Sequence, residues 1–429
     1  MKTFIYPRRE EWDQLCKRPL ADSSDLTGTV NAILQNVRNN GDFAVRDLEE
    51  KYDGAVLKNL KISQAEVIRA VKNIPEDLKN AINVSKANIE KFHSSQLADE
   101  KPVETMKGVM CWRKNVPIEK VGLYIPGGTS PLFSTVLMLA IPAKIADCRE
   151  IVLCSPPNSK GNIDPTILYT AWLTGVTDIF KIGGAQAIAA MAYGTETVPK
   201  VNKIFGPGNQ YVTLAKQMVL ADGIAIDMPA GPSEVLIMAD GKANASYVAS
   251  DLLAQAEHGP DSQVILVTDD VEVIKNVQLE CENQLNSLPR REIAANSLEN
   301  SLLILMNSID ECMDFSNRYA PEHLIINVSD PKQLADRVIN AGSVFIGNYS
   351  CESAGDYASG TNHTLPTNGF ARSYSGVSVD SFVKKITFQE ISTEGLKNLG
   401  PVIEQMAAAE SLSGHRNAVS IRLKSLGNG

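Results

Sequence analysis

Histidine is scarce in this sequence, with only five among 429 residues. Four of the five lie between Gln255 and His415, each beside a carboxylate or a glycine-rich turn. Imidazole and carboxylate groups in one place bind metal ions and transfer protons. The clustering therefore indicates a metal and proton-transfer site. The fifth, His93, falls on the polar edge of a predicted amphipathic helix, and we interpret it as a structural or solvated residue.

Long apolar runs and long basic runs are both absent. No apolar stretch approaches the roughly 18 residues that a membrane span needs, and the charged residues soon after Met1 do not fit a secretory signal. The net charge of −9 and the lack of a long Lys/Arg run argue against nucleic acid as the main partner. We therefore expect a cytoplasmic protein that binds neither a membrane nor nucleic acid.

The seven cysteines are odd in number and show no paired spacing. Reduced thiols explain this pattern better than a disulfide framework does. Cys111 or Cys154 could in principle act as a nucleophile, but neither has a histidine nearby in the sequence. We expect both to be buried structural thiols.

Helical patterns come first along the chain. Apolar residues recur at helical spacing over residues 30–37, and Ser63 with Glu66 resembles a capping box that opens another helix. A further amphipathic helix is predicted over residues 76–92.

From Val121 onward, short apolar strands alternate with helical stretches, which predicts βαβ units, mostly parallel sheets and an α/β fold. Nine such strands suggest two sheets, with a break near residues 228–232. The segment from about Ser378 onward has a mostly helical character and is predicted to be a separate tail. The nine predicted strands are 121–125, 151–154, 179–182, 203–205, 235–238, 264–267, 302–306, 324–328 and 344–346.

The histidines fall in four short clusters, of which two adjoin predicted elements. Gln255 and His258 close a helical run, 245–256, and their three-residue spacing would place both side chains on one helix face. Glu322 and His323 adjoin just before a predicted strand. Loop-to-strand junctions of this kind carry catalytic groups in alternating α/β folds.

The two other clusters lie nearer the C-terminus. Asp356 is in the stretch 352–357, which is followed by His363, and Glu410 precedes His415. Together the clusters offer imidazole and carboxylate ligands without a thiolate, a set that suits zinc or a similar divalent ion. The spacing matches neither His-Glu-x-x-His nor paired Cys-x-x-Cys. From spacing alone, structural or solvated histidines are therefore an equal alternative.

Three glycine-rich turns follow predicted strands, at residues 125–128, 182–186 and 205–209. Backbone N–H groups in such turns can approach a phosphate at a helix N-terminus, so a nucleotide could bind across them. None of the turns carries the Gly-x-Gly-x-x-Gly dinucleotide fingerprint. Tight turns without a ligand are an equal alternative at this point.

Five stretches form a long and ordered pattern: residues 122–128, 226–235, 251–258, 320–324 and 353–357. The second reads Ile-Asp-Met-Pro-Ala-Gly-Pro-Ser-Glu-Val and the third Asp-Leu-Leu-Ala-Gln-Ala-Glu-His. This pattern resembles the signature of the histidinol dehydrogenase family, and the similarity covers nearly the whole chain. The resemblance implies a zinc-dependent, NAD-linked enzyme that oxidises L-histidinol to L-histidine through a bound aldehyde, in the last step of histidine biosynthesis.

The family's metal ligands match Gln255, His258, Asp356 and His415. A neutral amide oxygen from Gln255 adds a hard donor and leaves the ion more Lewis acidic than another carboxylate would. Substrate nitrogens would complete the coordination, so the metal mainly orients the substrate. The implied substrate-binding residues are Ser233, Gln255, His258, His323, Asp356, Glu410 and His415, with His363 as a further substrate contact or a support for the metal ligands.

The family's acid/base pair matches Glu322 and His323. The imidazole would take the alcohol proton as hydride leaves for NAD, and the carboxylate would activate the water that hydrates the aldehyde. NAD contacts carry over to Tyr124, Gln186 and Asn209, all on or beside the glycine-rich turns. The missing fingerprint then indicates an incomplete Rossmann-like domain that grips NAD loosely.

The expected fold is α/β, with two incomplete Rossmann-like parallel-sheet domains and small N- and C-terminal helical segments. Residues 1–22 would form an N-terminal arm. Residues 23–120 and 236–377 would form a first α/β domain that carries the metal and acid/base residues. Residues 121–235 would form a second, NAD-binding α/β domain, and residues 378–429 a C-terminal segment.

The family forms intertwined homodimers whose C-terminal segment reaches the partner's active site. Glu410 and His415 would then complete a site whose other residues come from the second subunit. Two alternative enzymes stay open: a related dehydrogenase acting on another amino alcohol, and a zinc-dependent hydrolase with Glu322 as base. The hydrolase leaves the glycine-rich turns unexplained. A non-catalytic α/β binding module would make the Glu-His pairs coincidental.

Overall fold

The computed structural model describes residues 1–19, 26–97, 100–127, 130–229 and 231–427. Within these ranges the strands are β1 Lys2–Ile5, β2 Val103–Met106, β3 Val109–Pro117, β4 Lys120–Tyr124, β5 Glu150–Ser155, β6 Asp178–Lys181, β7 Lys203–Phe205, β8 Ala225–Ile226, β9 Glu234–Ala239, β10 Gln263–Thr268, β11 Leu302–Leu305, β12 His323–Asn327, β13 Ser343–Ile346 and β14 Val383–Ile391.

The helices of the same ranges are α1 Trp12–Leu15, α2 Leu26–Asp53, α3 Gln64–Asn73, α4 Glu76–Ser94, α5 Phe133–Ile145, α6 Pro165–Thr174, α7 Gly184–Tyr193, α8 Gln210–Ala221, α9 Ala245–Ala256, α10 Val271–Leu285, α11 Arg291–Glu299, α12 Ile309–Tyr319, α13 Pro331–Ala335, α14 Glu352–Tyr357, α15 Thr393–Ala409 and α16 Ser413–Gly427. Short 3-10 turns lie at Arg9–Glu11, Phe370–Arg372 and Val379–Phe382. None of these helices is both long and apolar enough to cross a membrane.

The chain divides into two compact units. The larger comprises Met1–Gln96 and Ile118–Phe382, and the smaller comprises Leu97–Pro117 and Val383–Gly429.

Two parallel sheets form the framework of the larger unit. One has five strands in the order β6-β5-β4-β7-β8, and the other has six in the order β1-β11-β10-β9-β12-β13. All their pairings are parallel. The predicted α/β class and the nine predicted strands are confirmed. The predicted break between the sheets is confirmed between β8 and β9, although Ala230 within it lies outside the described residues.

Burial explains why these strands could be recognised. The side chains of β9 and β10 are buried along their whole length. A strand covered on both faces reads as a continuous apolar run, as parallel strands in α/β folds do.

The helices α2 to α4 lie with the five-stranded sheet. The apolar face of α2 shares a core with residues of α7 and α8, while α3 contacts α6 and α4 contacts α5. Residues 23–120 are expected to join residues 236–377. The contacts of α2 and α3 differ from that grouping, whereas α4 also contacts residues 357–362 of the expected first domain. An apolar helix face shows that it is buried but not which sheet it covers.

The two ends of the larger unit also differ from expectation. β1, in the expected arm, pairs with β11 as an edge strand of the six-stranded sheet. Phe382, in the expected C-terminal segment, stacks on Phe205 with ring centroids 4.1 Å apart. Residues 378–382 are therefore part of the larger unit.

The smaller unit is built around an antiparallel sheet in the order β14-β3-β2. Trp112 and Phe388 stack across the β3–β14 pair at 5.5 Å. Helices α15 and α16 pack against each other. The tail is therefore not simply helical, because it begins with a nine-residue strand that pairs with residues 109–117.

Candidate active site

Glu322 and His323 lie where β12 begins, which confirms the predicted loop-to-strand junction. Both side chains are buried. The backbone of Glu234, the first residue of neighbouring β9, contacts both: its N–H donates to Glu322 Oε2 at 2.9 Å, and its carbonyl oxygen lies 3.3 Å from His323 Nδ1. The Glu322 carboxylate is 3.7 Å from the same imidazole nitrogen. The pair is therefore fixed at the amino ends of two adjacent parallel strands.

A group of potential metal ligands lies beside this pair. Ligand atoms of His258, Glu352 and Asp356 all lie within 4.8 Å of one another. Helix α14 presents Glu352 and Asp356 on one face, because they are four residues apart. Asp356 Oδ1 is 3.6 Å from His323 Nε2. The structure thus brings His258 and Asp356 together next to the acid/base pair.

Gln255 and His258 are not on one helix face, so that prediction is wrong in its geometry. Helix α9 ends at Ala256, and His258 follows in a turn whose N–H donates to the Gln255 carbonyl oxygen at 3.2 Å. The Gln255 side chain is fully buried. With its amide nitrogen turned toward Glu352, it donates to that carboxylate and accepts from the Glu234 N–H at 2.9 Å.

Glu352 is the residue of this group that the sequence-based ligand set omits. Its carboxyl is buried at 1% exposure, and burial raises its pKa well above the ordinary value. Among the described residues, Glu352 Oε2 and His323 Nε2 are buried atoms without a hydrogen-bond partner. In the sequence, the four-residue spacing between Glu352 and Asp356 is the feature that could have indicated Glu352 as a further ligand. The imidazole nitrogens and carboxylate oxygens of this group, together with the two unpaired atoms, are suitable donors for a divalent cation such as zinc.

Burial and nearby charges shift the pKa values of both Glu322 and His323. Burial lowers the pKa of His323, but the carboxylates of Glu352, Glu322 and Asp356 outweigh burial and raise it to about 10. Burial raises the pKa of Glu322 to about 8, against the opposing effect of the His323 imidazole. The two groups therefore stabilise each other's charged forms in a site with little access to water.

His363 contacts the metal-ligand group through the backbone. Its Nδ1 is 2.9 Å from the Asp356 carbonyl oxygen, and its Nε2 is 3.0 Å from Thr135 Oγ1. Of the two uses expected for His363, these contacts fit support of the Asp356 segment. Ser233 directly precedes β9 and is half-buried.

Glu410 and His415 belong to the smaller unit. Glu410 directly follows α15, and His415 lies in the first turn of α16. Both side chains are exposed.

The expected NAD residues occupy three different environments. Tyr124 is buried at the end of β4, where its hydroxyl accepts from the Gly184 N–H at 3.1 Å. Gln186 is buried in α7 and donates to Glu49 Oε1 at 2.9 Å. Asn209 is exposed and caps α8. Gly128, in the first glycine-rich turn, lies outside the described residues.

The third glycine-rich turn requires glycine at Gly206. Its φ is +122°, and a Cβ there would lie 2.1 Å from the Tyr124 carbonyl oxygen. The Gly206 N–H donates to Asp227 Oδ2 at 2.8 Å, and Lys216 Nζ donates to the Gly206 carbonyl oxygen at 2.8 Å. The turn is therefore held close against β4, and Asn209 is presented at the sheet's carboxyl edge.

His93 and Cys154 have structural surroundings, whereas the expectation that Cys111 is buried is wrong. His93 is fully buried rather than at a polar edge, with Nδ1 3.1 Å from the Ile89 carbonyl oxygen and Nε2 3.3 Å from Asn362 Nδ2. Cys154 is fully buried in β5, as expected, and burial raises its pKa. Cys111, on β3, is only partly buried.

Comparison with known proteins identifies the family. The family model described as histidinol dehydrogenase matches residues 16–423. The chain belongs to the histidinol dehydrogenase family. It is 60% identical over 426 residues to the histidinol dehydrogenase of Bacteroides thetaiotaomicron, a match that covers 99% of this chain and 100% of that relative.

Two further members of the histidinol dehydrogenase family extend the comparison. The histidinol dehydrogenase of Escherichia coli is 52% identical over 420 residues, which are 97% of this chain and 96% of that relative. The crystal structure of histidinol dehydrogenase from Elizabethkingia anophelis has a TM-score of 0.98 and 54% sequence identity, and the match covers 100% of this chain and 99% of that one. The fold of this chain is thus that of the family along its whole length.

Proposed function

We propose that the chain is an NAD-dependent, zinc-containing dehydrogenase that oxidises L-histidinol through L-histidinal to L-histidine, in the final step of histidine biosynthesis. One observation carries the proposal: in a chain that matches the family from residue 16 to 423, the buried pair Glu322–His323 lies directly beside His258 and Asp356. Proton-transfer groups and potential metal ligands are therefore in one place.

We propose Gln255, His258, Asp356 and His415 as the metal ligands, with Glu352 close beside them. The grouping of His258, Glu352 and Asp356 supports His258 and Asp356 as members of this set. When bound, zinc would orient the substrate's amine and imidazole nitrogens, and its positive charge would offset the carboxylates around His323. We also propose Ser233, His323 and Glu410 as substrate contacts. His363 would contribute indirectly, because it supports Asp356.

We place NAD at the carboxyl edge of the five-stranded sheet. A cavity of about 620 Å³ opens there and is lined in part by Asp53, Gly127 and Pro156. Bound NAD would accept the hydride in each oxidation. Asn209 is exposed and suited to direct contact. Tyr124 and Gln186 are buried and bonded to protein groups, so we propose that they shape the turns that face NAD.

The chain's own groups supply the proton transfers. His323 takes the hydroxyl proton as the hydride leaves the alcohol carbon, which yields the aldehyde. Glu322 takes a proton from the water that adds to the aldehyde, while His323 returns its proton to the carbonyl oxygen, which gives a hydrate with a hydroxyl on the reacting carbon and leaves His323 able to act as base again. His323 then repeats its role in the second oxidation. Burial of both side chains keeps bulk water from competing.

The assembly and location are also proposals. We propose an intertwined homodimer in which Glu410 and His415 complete the partner's site. Their exposure in the smaller unit supports this, because both side chains are accessible to another molecule. A cytoplasmic location fits an enzyme of amino-acid biosynthesis. The hydrolase and the dehydrogenase for another amino alcohol are not favoured by full-length identities of 52 to 60% to histidinol dehydrogenases.

Two substitutions test the division of roles. We expect His323→Asn to slow oxidation of both L-histidinol and L-histidinal by about a hundredfold or more, because general base catalysis is lost from each. Glu322→Gln should mainly slow aldehyde oxidation. NADH formation from each substrate, with bound zinc measured in every variant, reads out both rates. The matched control is Glu292→Gln, an exposed position on α11. Parent-like aldehyde oxidation by Glu322→Gln would refute the assigned roles.

A further inference from the structure

The Glu234 side chain forms a buried ion pair with Arg18. Arg18 Nε donates to Glu234 Oε2 and its Nη2 to Glu234 Oε1, each at 2.8 Å. The side chains are 9% and 1% exposed. Two parallel charge-assisted hydrogen bonds of this kind fix both distance and orientation.

Further contacts hold the guanidinium in place. Arg18 Nη2 donates to the Tyr319 carbonyl oxygen at 2.8 Å, and the Arg18 guanidinium lies 3.6 Å above the centre of the Tyr319 ring. The Tyr319 hydroxyl in turn donates to Gln263 Oε1 at 2.8 Å and lies 3.2 Å from Glu234 Oε2. Both oxygens of the Glu234 carboxylate therefore accept hydrogen bonds from buried side chains.

The backbone of the same residue contacts the site. The Glu234 N–H donates to Glu322 Oε2 at 2.9 Å, and its carbonyl oxygen is 3.3 Å from His323 Nδ1. The same N–H can donate to the Gln255 amide oxygen at 2.9 Å. Any rotation of β9 at this residue would move the hydrogen-bond partners of Glu322 and His323 together.

We propose that Arg18 is a positioning residue for the acid/base pair, acting through Glu234. It touches neither of the two side chains, but it fixes the residue whose peptide groups contact both. Displacements of about 1 Å in a catalytic group can cost up to about a hundredfold in rate. The inference rests on the proposed function for its kinetic consequence, although its structural consequence for His323 does not depend on the substrate.

The kinetic test compares Arg18→Lys and Arg18→Met with the parent. Lysine keeps the positive charge but lacks the planar guanidinium that makes two parallel hydrogen bonds, and methionine lacks both the charge and the guanidinium. We expect kcat per folded, zinc-loaded molecule to fall about threefold in Arg18→Lys and about tenfold or more in Arg18→Met, with KM for L-histidinol within about twofold. Both oxidations should slow, because Glu234 contacts both Glu322 and His323.

Arg9→Met is the matched control. Arg9 also lies near the N-terminus and forms an ion pair with Asp314 at 2.6 Å, but that pair is exposed. We expect its kcat to equal that of the parent. A merely structural role for Arg18 would lower the folded fraction and leave kcat per folded molecule unchanged, and that result would overturn the proposal. An equal loss in Arg9→Met would overturn it too.

A second readout separates this inference from the proposed function. In protein labelled with ¹⁵N-histidine, we expect the His323 ring signals to shift in Arg18→Lys, whereas those of His93, which lies on α4, stay in place. The His323 signals are assigned from His323→Asn. If the parent forms no NADH from L-histidinol, the proposed function fails, and the ring signals still decide the inference. Unchanged His323 signals in folded Arg18→Lys would contradict it.

Discussion

Glu49 carries a buried carboxyl group at the second glycine-rich turn. Its Oε1 accepts from the Gly183 N–H and from Gln186 Nε2, each at 2.9 Å, while Oε2 is buried without a partner among the described residues. Burial raises the pKa of Glu49 to about 8. A buried carboxyl group therefore accepts a hydrogen bond from the Gly183 N–H of this turn.

Replacement of Glu49 by glutamine should change how stability depends on pH. Between the ordinary pKa of 4.5 and the folded value of about 8, the folded parent keeps a proton that the unfolded chain releases. The parent therefore loses stability as pH rises through this window. Glutamine has no such proton, and its oxygen can accept both hydrogen bonds.

We expect the free energy of unfolding of Glu49→Gln, minus that of the parent, to rise by about 1 kcal/mol or more between about pH 5 and about pH 8. Denaturant unfolding at several pH values measures it. Glu50→Gln, at the exposed neighbouring position, is the matched control. A flat difference for Glu49→Gln would mean that its folded pKa is not raised.

Several residues of the site could be predicted from the sequence, for different reasons. Glu322 and His323 are adjacent and precede an apolar run, so their place at a strand start was visible. Glu352 was omitted from the ligand set because its role depends on the turn of α14 toward His258. Arg18 could not have been found, because its link to the site passes through the fold over 216 residues of sequence to Glu234.

Asn209 has two roles, because it caps helix α8 and we propose that it contacts NAD. Its Oδ1 accepts from the N–H groups of Tyr211 and Val212 at 3.0 and 3.1 Å, which caps α8. The same side chain is exposed at the turn where we place NAD. The two roles can be separated by substitution, because aspartate caps a helix as well as asparagine does.

We expect Asn209→Ala to lower the free energy of unfolding by about 1 kcal/mol and to weaken NAD binding. Asn209→Asp should keep the parent's stability, yet weaken NAD binding because its negative charge opposes the phosphates. Denaturant unfolding and NAD titration measure the two effects. Parent-like NAD affinity in Asn209→Asp would show that this residue does not face the cofactor.

Helices and strands can be predicted where their burial produces a simple pattern of apolar residues in the sequence. The interior strands of the parallel sheets are apolar runs, and the Ser63–Glu66 capping box is formed as predicted, with the Ser63 N–H donating to Glu66 at 2.8 Å. The strand β14 was missed because its side chains are largely exposed and alternate in character. The strand β8 has only two residues, too few to show any period.

At the scale of the whole molecule, the proposed metal site draws on both units. Gln255, His258 and Asp356 belong to the larger unit, and His415 belongs to the smaller. In the homodimer that we propose, His415 comes from the other subunit. Sequence pattern alone cannot show this, because spacing along a chain does not indicate which subunit supplies a metal ligand.

Mixing inactive variants tests the shared site. Equal amounts of His323→Asn and His415→Asn, unfolded and refolded together, should regain about a quarter of the parent activity, since half of the random dimers hold one intact site of two. His323→Asn mixed with His258→Asn should regain none, because both residues lie in the larger unit. No recovery in verified heterodimers of the first pair would contradict the exchange.

The most direct measurement is the number of NADH molecules formed per molecule of L-histidinol by purified protein, before and after a chelator removes metal. We expect about two NADH per substrate, lost on chelation and restored by zinc. One NADH per substrate would contradict the second oxidation. No NADH from zinc-loaded protein would contradict the proposed function itself.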